Sequence, residues 1–190
     1  MNHRIVIASL LAFLSVTTSA APSAQQQLAP AGGWVVSSAQ PKAYEIGEDA
    51  SATARGTPSF YIRSTANHAN GFGTLMQTIS ANNYRGKRVR FQAMLKSRDV
   101  SNWAGLWMRV DTATTPAIAF YNSQDNPIKG SSDWQLRSVT LDVPADATTL
   151  NFGVIDAGSG QVWIDQPTLE AVGDEVPVNR QPGLPTTPAL

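Results

Sequence analysis

The stretch from Asp133 to Glu170, DWQLRSVTLDVPADATTLNFGVIDAGSGQVWIDQPTLE, constrains the fold more than any other part of the chain. Val139, Leu141 and Val143 alternate with Ser138, Thr140 and Asp142. This is the period-2 pattern of a strand with one buried face. Pro144 ends the strand, because proline brings no N–H to a ladder, and Asp146 suits a turn. Leu150, Phe152 and Val154 then place a second apolar stripe on one face. Gly158 and Gly160 supply the positive-φ positions of a tight turn. Val162 and Ile164 form a third stripe, with Trp163 and Asp165 pointing the other way. Three such strands need a packed β structure to cover their apolar faces.

The preceding chain reads the same way, without one convincing helix. Strands are expected at Trp34–Ser37, Tyr44–Ile46, Ser51–Arg55, Phe60–Ser64 and Phe72–Ile79. Arg88–Ser97 alternates cleanly, with Val89, Phe91, Ala93 and Leu95 inward. Trp103–Val110 puts Ala104, Leu106, Met108 and Val110 inward, and a turn over Lys96–Asn102 is expected to join these two strands. Ile118–Asn122 is a further short strand. Many short strands with regular turn signals mean a sandwich or jelly roll of two antiparallel sheets. Val89, Phe91, Leu95, Leu106, Met108, Leu141, Phe152, Val154 and Ile164 are its expected core.

The order of residues in W-Q-x-x-x-V-x-L-x-V-P-x-D-A-T-x-L-x-F-G-V, with the later V-W-I-D, resembles the C-terminal half of galactose-binding-like jelly rolls. These include xylan- and glucan-binding modules attached to bacterial glycoside hydrolases. The run YRGKRVRFQAMLKSRDVSNWAGLWMRVD (84–111) is closer still to small bacterial domains found alone or beside other domains, sometimes regulators or hydrolases. The resemblance covers Gly33 to Gly173. It implies an all-β jelly-roll β-sandwich, and a fold of this kind hosts many functions.

The two ends differ in composition. Residues 1–20 have a basic start with Arg4, an apolar run from Ile5 to Val16, and small residues at Thr18 and Ala20. That is the order of a secretory signal, with cleavage after Ala20. The apolar run is shorter than the ~20 residues a spanning helix needs. Export to the periplasm or beyond is therefore expected, with no membrane span in the mature chain. Residues 21–33 read as a disordered leader, 34–173 as the β-sandwich domain, and 174–190, rich in proline, as a disordered tail. The chain has no cysteine, which removes disulfides, thiolate metal sites and cysteine nucleophiles together. Its 14 basic and 14 acidic residues balance, so nothing steers it to nucleic acid.

Catalytic constellations are not evident. Downstream of the leader the one histidine is His68, in the loop sequence NHANG. The acidic residues form no paired motif of the kind glycosidases use. No metalloprotease, phosphate-loop or nucleophile-elbow motif is present. The basic run from Arg85 to Arg98 alternates along one strand, which places it on a solvated face with acidic residues elsewhere to balance it.

The residues that suggest binding are outward by parity. Arg90 and Gln92 share one expected strand, and Trp103, Trp107 and Arg109 share the next. Antiparallel pairing through the Lys96–Asn102 turn would make them neighbours. Tyr121, Asn122 and Asp125 follow close by. Rings stack on the apolar faces of sugars, and guanidinium and amide groups bond hydroxyls. Equally, such rings could fill a second apolar layer under the long loops. The resemblance further implies that a structural calcium could be held by Asp165 with Glu48, or with Glu45 or Asp49. The residues themselves also suit Asp165 as an acceptor of backbone hydrogen bonds; no other cofactor is implied. The expected function is a non-catalytic, exported binding module for carbohydrate or another cell-envelope polymer. The alternatives are a structural or protein-interaction sandwich and an enzyme of unrecognised type.

Overall fold

A computed structural model describes residues 33–40, 42–65 and 71–181. The expected signal segment, nearly all of the expected leader, His68 and the last nine residues lie outside the described residues.

The described chain is built from nine strands, and every pairing is antiparallel. They are β1 (Val35–Ser38), β2 (Tyr44–Asp49), β3 (Ser59–Ser64), β4 (Phe72–Ser80), β5 (Lys87–Thr112), β6 (Ala119–Tyr121), β7 (Ile128–Val143), β8 (Ala147–Ala157) and β9 (Gln161–Val172). They form two layers joined by one long strand. Layer A runs β2, β3, β9, the first half of β5, then β7. Layer B runs β1, β4, β8, the second half of β5, then β6. This is the all-β jelly-roll sandwich that the periodicity and the resemblance both imply.

The join at β5 corrects one expectation. Arg88–Ser97 and Trp103–Val110 are not two strands reversing through a turn. They are halves of a single 26-residue strand. Register shifts fall after Leu95, Ser97 and Val100, and Asp99 takes a φ of 54°. Asp99 and Ser101 are turn-forming residue types, but here each is bonded to a neighbouring strand or turn. The Asp99 N–H donates to Ser131 Oγ, and the Ser101 N–H to the Ser159 carbonyl. The extra residues are absorbed as bulges, which bend and twist a strand without ending it. The bend carries β5 from layer A into layer B.

The segment Ser51–Arg55 is likewise a loop, not a strand. Asp49 Oδ1 accepts the N–H groups of Ser51 and Ala52, at 2.9 and 3.2 Å, closing an Asx turn that takes those donors away from a ladder. Glycine decides the passage from β8 to β9. Gly160 has a φ of 137°, and a Cβ there would meet the Val100 backbone at 2.7 Å. The two strands it joins belong to different layers, so it forms no hairpin.

Between the layers, Val89, Phe91, Leu95, Leu106, Met108, Leu141, Phe152, Val154 and Ile164 are all buried, as their parity requires. Phe91 and Phe152 meet across the core with ring centroids 4.9 Å apart. Trp34 packs edge-on against Phe152 at 6.2 Å. Such contacts between layers supply most of the folding free energy in a chain without disulfides.

Two features were not legible beforehand. Asp174–Gln181, expected in the disordered tail, lies along β7. Asn179 exchanges two bonds with Thr140, N–H to carbonyl at 2.9 Å and Oδ1 from N–H at 2.8 Å. Arg88 Nη1 holds the carbonyls of Asp174 and Val176. This strap pairs part of an otherwise open sheet edge. The second feature is Asp156, which the inward parity of β8 turns into the core beside Tyr44. It is 0% exposed and neither carboxyl oxygen has a hydrogen-bond partner among the described residues. Burial pushes its carboxyl up to about 7.

Candidate functional site

The outer face of layer B carries a groove of about 360 Å³. Its outward positions come from four strands: Ser37 on β1, Phe72, Thr74 and Met76 on β4, Ile155 on β8, and Trp107 and Arg109 on β5. Phe120 of β6, opposite Arg109, closes the far side.

Trp107 forms the floor. It is only 6% exposed and packs with Ile155, Ala157, Met76 and Trp103 in a small cluster separate from the main core. Its Nε1 donates to Thr74 Oγ1 at 2.6 Å, and Thr74 Oγ1 donates on to the Val154 carbonyl at 2.9 Å. Thr74 lies on β4 and Trp107 on β5, with β8 between them, so the indole reaches across β8. It does so at Gly153, its register partner, which has no side chain to block it. A Cβ at Gly153 would also collide with the Leu75 carbonyl and, at 2.8 Å, with Met76 Cα. Trp107 is therefore a fixed base, not a free ring. The rings left open are Phe72, 50% exposed, and Phe120, 38% exposed.

The polar end is a network around Asp111. Arg109 donates to Asp111 Oδ2 through Nη2 at 3.0 Å, and Asn151 Nδ2 donates to the same oxygen at 2.8 Å. Thr78 donates to Asn151 Oδ1 at 2.7 Å. Burial raises the Asp111 carboxyl, but the Ala117 N–H, the Arg109 guanidinium and the Thr149 hydroxyl outweigh it and hold the group below the usual carboxylate range. Asp111 stays ionised and neutralises Arg109.

The expected binding residues thus divide. Trp107 and Arg109 line this groove, and Trp103 supports it from the side. Arg90 and Gln92 do not join them, because the two halves of β5 turn their outward side chains onto different layers. Arg90 lies on layer A in an ion pair with Glu170 at 2.7 Å, and Gln92 lies in the same layer, between Thr168 and Ser138. Tyr121 points inward and is buried. Its hydroxyl donates to Asp125 Oδ1 at 2.5 Å, and burial, aided by that carboxylate, pushes the phenol up to about 12. Asn122 Oδ1 accepts from Gln181 Nε2 at 2.7 Å. Tyr121, Asn122 and Asp125 serve the loop and the strap rather than the groove. Sequence reasoning missed Phe72 and Phe120. Parity offered a signal for both: Phe120 alternates with inward Tyr121, and Phe72 with Gly73 and Leu75.

The calcium set does not assemble. Asp165 Oδ2 accepts the Ala54 N–H at 2.7 Å and Oδ1 the Gln166 N–H at 2.8 Å. Glu48 is exposed, Glu45 pairs with Arg63, and Asp49 accepts from Ser51 and Trp163. No group of three or more His, Asp or Glu side chains gathers among the described residues, whereas calcium takes six to eight oxygens. Asp165 is a structural acceptor that pins the 50–58 loop to β9.

No family model matches the sequence. An uncharacterized HTH-type transcriptional regulator of Bacillus subtilis (strain 168), YbfP, is 39% identical over 146 residues. That match spans 76% of this chain and 50% of the regulator, so the chain spans about half the length of the curated relative it matches. Among solved structures, the CBM22-1 xylan-binding domain of Paenibacillus barcinonensis Xyn10C superposes with a TM-score of 0.57 at 8% identity, over 77% of this chain and 90% of that one. The C-terminal family 22 carbohydrate-binding module of Clostridium thermocellum Xyn10B gives 0.56 at 13% identity, over 75% and 88%. The enzymatically active domain of bacteriophage CBA120 tailspike protein 4 gives 0.55 at 15% identity, over 74% of this chain and 20% of that one. In fold, this chain is a jelly-roll domain of the kind seen in carbohydrate-binding modules.

Proposed function

We propose that this protein is an exported, non-catalytic module that binds a neutral polysaccharide in the groove of layer B. The observation that carries the reading is the pairing of two exposed rings, Phe72 and Phe120, across a rigid floor with the Arg109–Asp111 network at one end. Rings offer flat apolar faces to the C–H sides of pyranoses. The polar network offers both donors and acceptors to hydroxyls. Because Arg109 is neutralised by Asp111, the groove favours an uncharged ligand. The fold shared with xylan-binding and related modules supports the reading. The composition of residues 1–20 supports export, and an N-terminus at Ala21 in protein recovered from its native compartment is the expected result.

A glycan-array screen followed by titration tests the binding. Phe72→Ala and Phe120→Ala should each weaken retention of a captured glycan with little change in melting temperature, since both rings are open to solvent. A screen in which no glycan is retained would overturn the proposal. A second reading draws on the regulator relative: the same sandwich could sense a small ligand or dock a protein beside a DNA-binding half. Retention of a monosaccharide alone, or of a protein partner with no glycan, would favour it.

A further inference from the structure

The basic series that begins at Arg85 continues along the first half of β5. Almost every member is engaged. Arg85 Nε donates to the Ala147 carbonyl and Lys87 Nζ to the Asn83 carbonyl. Arg88 pairs with Asp142 at 2.7 Å, Arg90 with Glu170, and Lys96 with Asp133 at 3.4 Å. On β3, Arg63 pairs with Glu45. Unlike Arg63, Arg88, Arg90 and Lys96, Arg98 pairs with no carboxylate among the described residues.

Its guanidinium is nonetheless fixed. It lies over the Trp163 ring, 5.2 Å from the centroid, and Nη2 donates to Gln161 Oε1 at 2.6 Å. Trp163 is buried, and its Nε1 donates to Asp49 Oδ2 at 2.9 Å. Asp49 is held in turn by Ser51 and Ala52. The fork is thus preorganised by a ring and a neutral amide, which leaves it without a direct ion-pair partner and its Nε and Nη1 donors without partners among the described residues. It stands between two recesses of about 310 and 630 Å³ and lines both.

We propose that Arg98 receives the carboxylate of an acidic saccharide, a uronate unit, on the face opposite the layer B groove. A guanidinium fork matches a planar carboxylate in a two-point contact, and its prior immobilisation lowers the cost of binding. The same recesses carry Asp49, Asp99, Asp133 and the hydroxyls of Ser131 and Ser132. Those groups bond sugar hydroxyls. Their negative charge disfavours a dianionic phosphate more than a monoanionic carboxylate. The contrast with layer B is one of pairing: there Arg109 is in a direct ion pair with Asp111, and here Arg98 has no such pair among the described residues. The inference does not rest on the layer B groove binding anything.

The test titrates the purified protein with a galacturonate tetramer, its fully methyl-esterified counterpart and inorganic phosphate, following tryptophan fluorescence and heat. The expected result is saturable binding of the acid tetramer only. Arg98→Gln should weaken it by about tenfold or more, the scale of one charge-assisted two-point contact. Arg98→Lys, which keeps the charge without the fork, should fall between. Lys129→Gln, an exposed cation outside both recesses, should bind as the native chain does. Melting temperatures of all variants check that the fold is kept. No binding of the acid tetramer, equal binding by Arg98→Gln, equal binding of the ester, or competition by phosphate at comparable concentration would each overturn the proposal. Retention of a neutral glycan sensitive to Phe120→Ala would survive any of these results.

Discussion

Replacing Asp156 with asparagine should reverse the order of stability between the two proteins as the pH changes. The carboxyl is fully buried and has no hydrogen-bond partner among the described residues, so ionising it in the folded state means placing a charge in the core. Burial raises it from 3.8 to about 7. In the window between those values the folded chain holds a proton that the unfolded chain has released. Stability therefore falls as pH rises from about 4 to about 7, and levels off above that. The gap corresponds to about 4 kcal/mol at 1.36 kcal/mol per tenfold in acidity. Asparagine has nearly the same shape and never ionises. At pH 8 the Asp156→Asn protein should be the more stable by as much as about 4 kcal/mol, less the extra cost of burying an unpartnered amide in place of an unpartnered neutral carboxyl. At pH 4 that cost alone remains and the native chain should be the more stable. Asp49, Asp111, Asp133 and Asp142 are shifted the other way and add stability that is lost as pH falls through their lowered values, but they are common to both proteins. Urea midpoints read by tryptophan fluorescence at intervals from pH 4 to 8 give the difference directly. Parallel curves for the two proteins would refute the reasoning.

Three further outcomes follow from the packing. Trp107→Ala should destabilise by ~3–5 kcal/mol, because it removes a buried ring and leaves Thr74 without a donor; a loss below ~1 kcal/mol in urea unfolding would mean that the ring is an open platform after all. Gly153→Ala should cost more than ~2 kcal/mol, since the new methyl meets the backbone of β4 rather than a side chain able to move, and a near-neutral melting temperature would contradict the close approach. A chelator should leave the melting temperature unchanged, because the Asp165 oxygens are already taken by Ala54 and Gln166; a fall of several degrees would restore a structural cation.

Strand parity was written plainly in this chain. Every residue named for the core is buried, because period-2 alternation depends only on backbone geometry and on which side chains avoid water. The outward direction of Trp107, Arg109 and Arg90 was equally legible. What parity cannot encode is which strands lie beside each other. That rested on the seven residues from Lys96 to Asn102, where a turn and a run of bulges have the same composition. The tertiary hydrogen bonds to Ser131 and Ser159 chose the bulges. With that choice Arg90 went to one outer face and Trp107 to the other. Tail residues such as Asn179 found an edge to cover, and Asp156 acquired an environment without a partner. Each of these depends on groups distant in sequence meeting in space, so local pattern carries no trace of them, whereas the alternation that built the layers is local and was visible from the start.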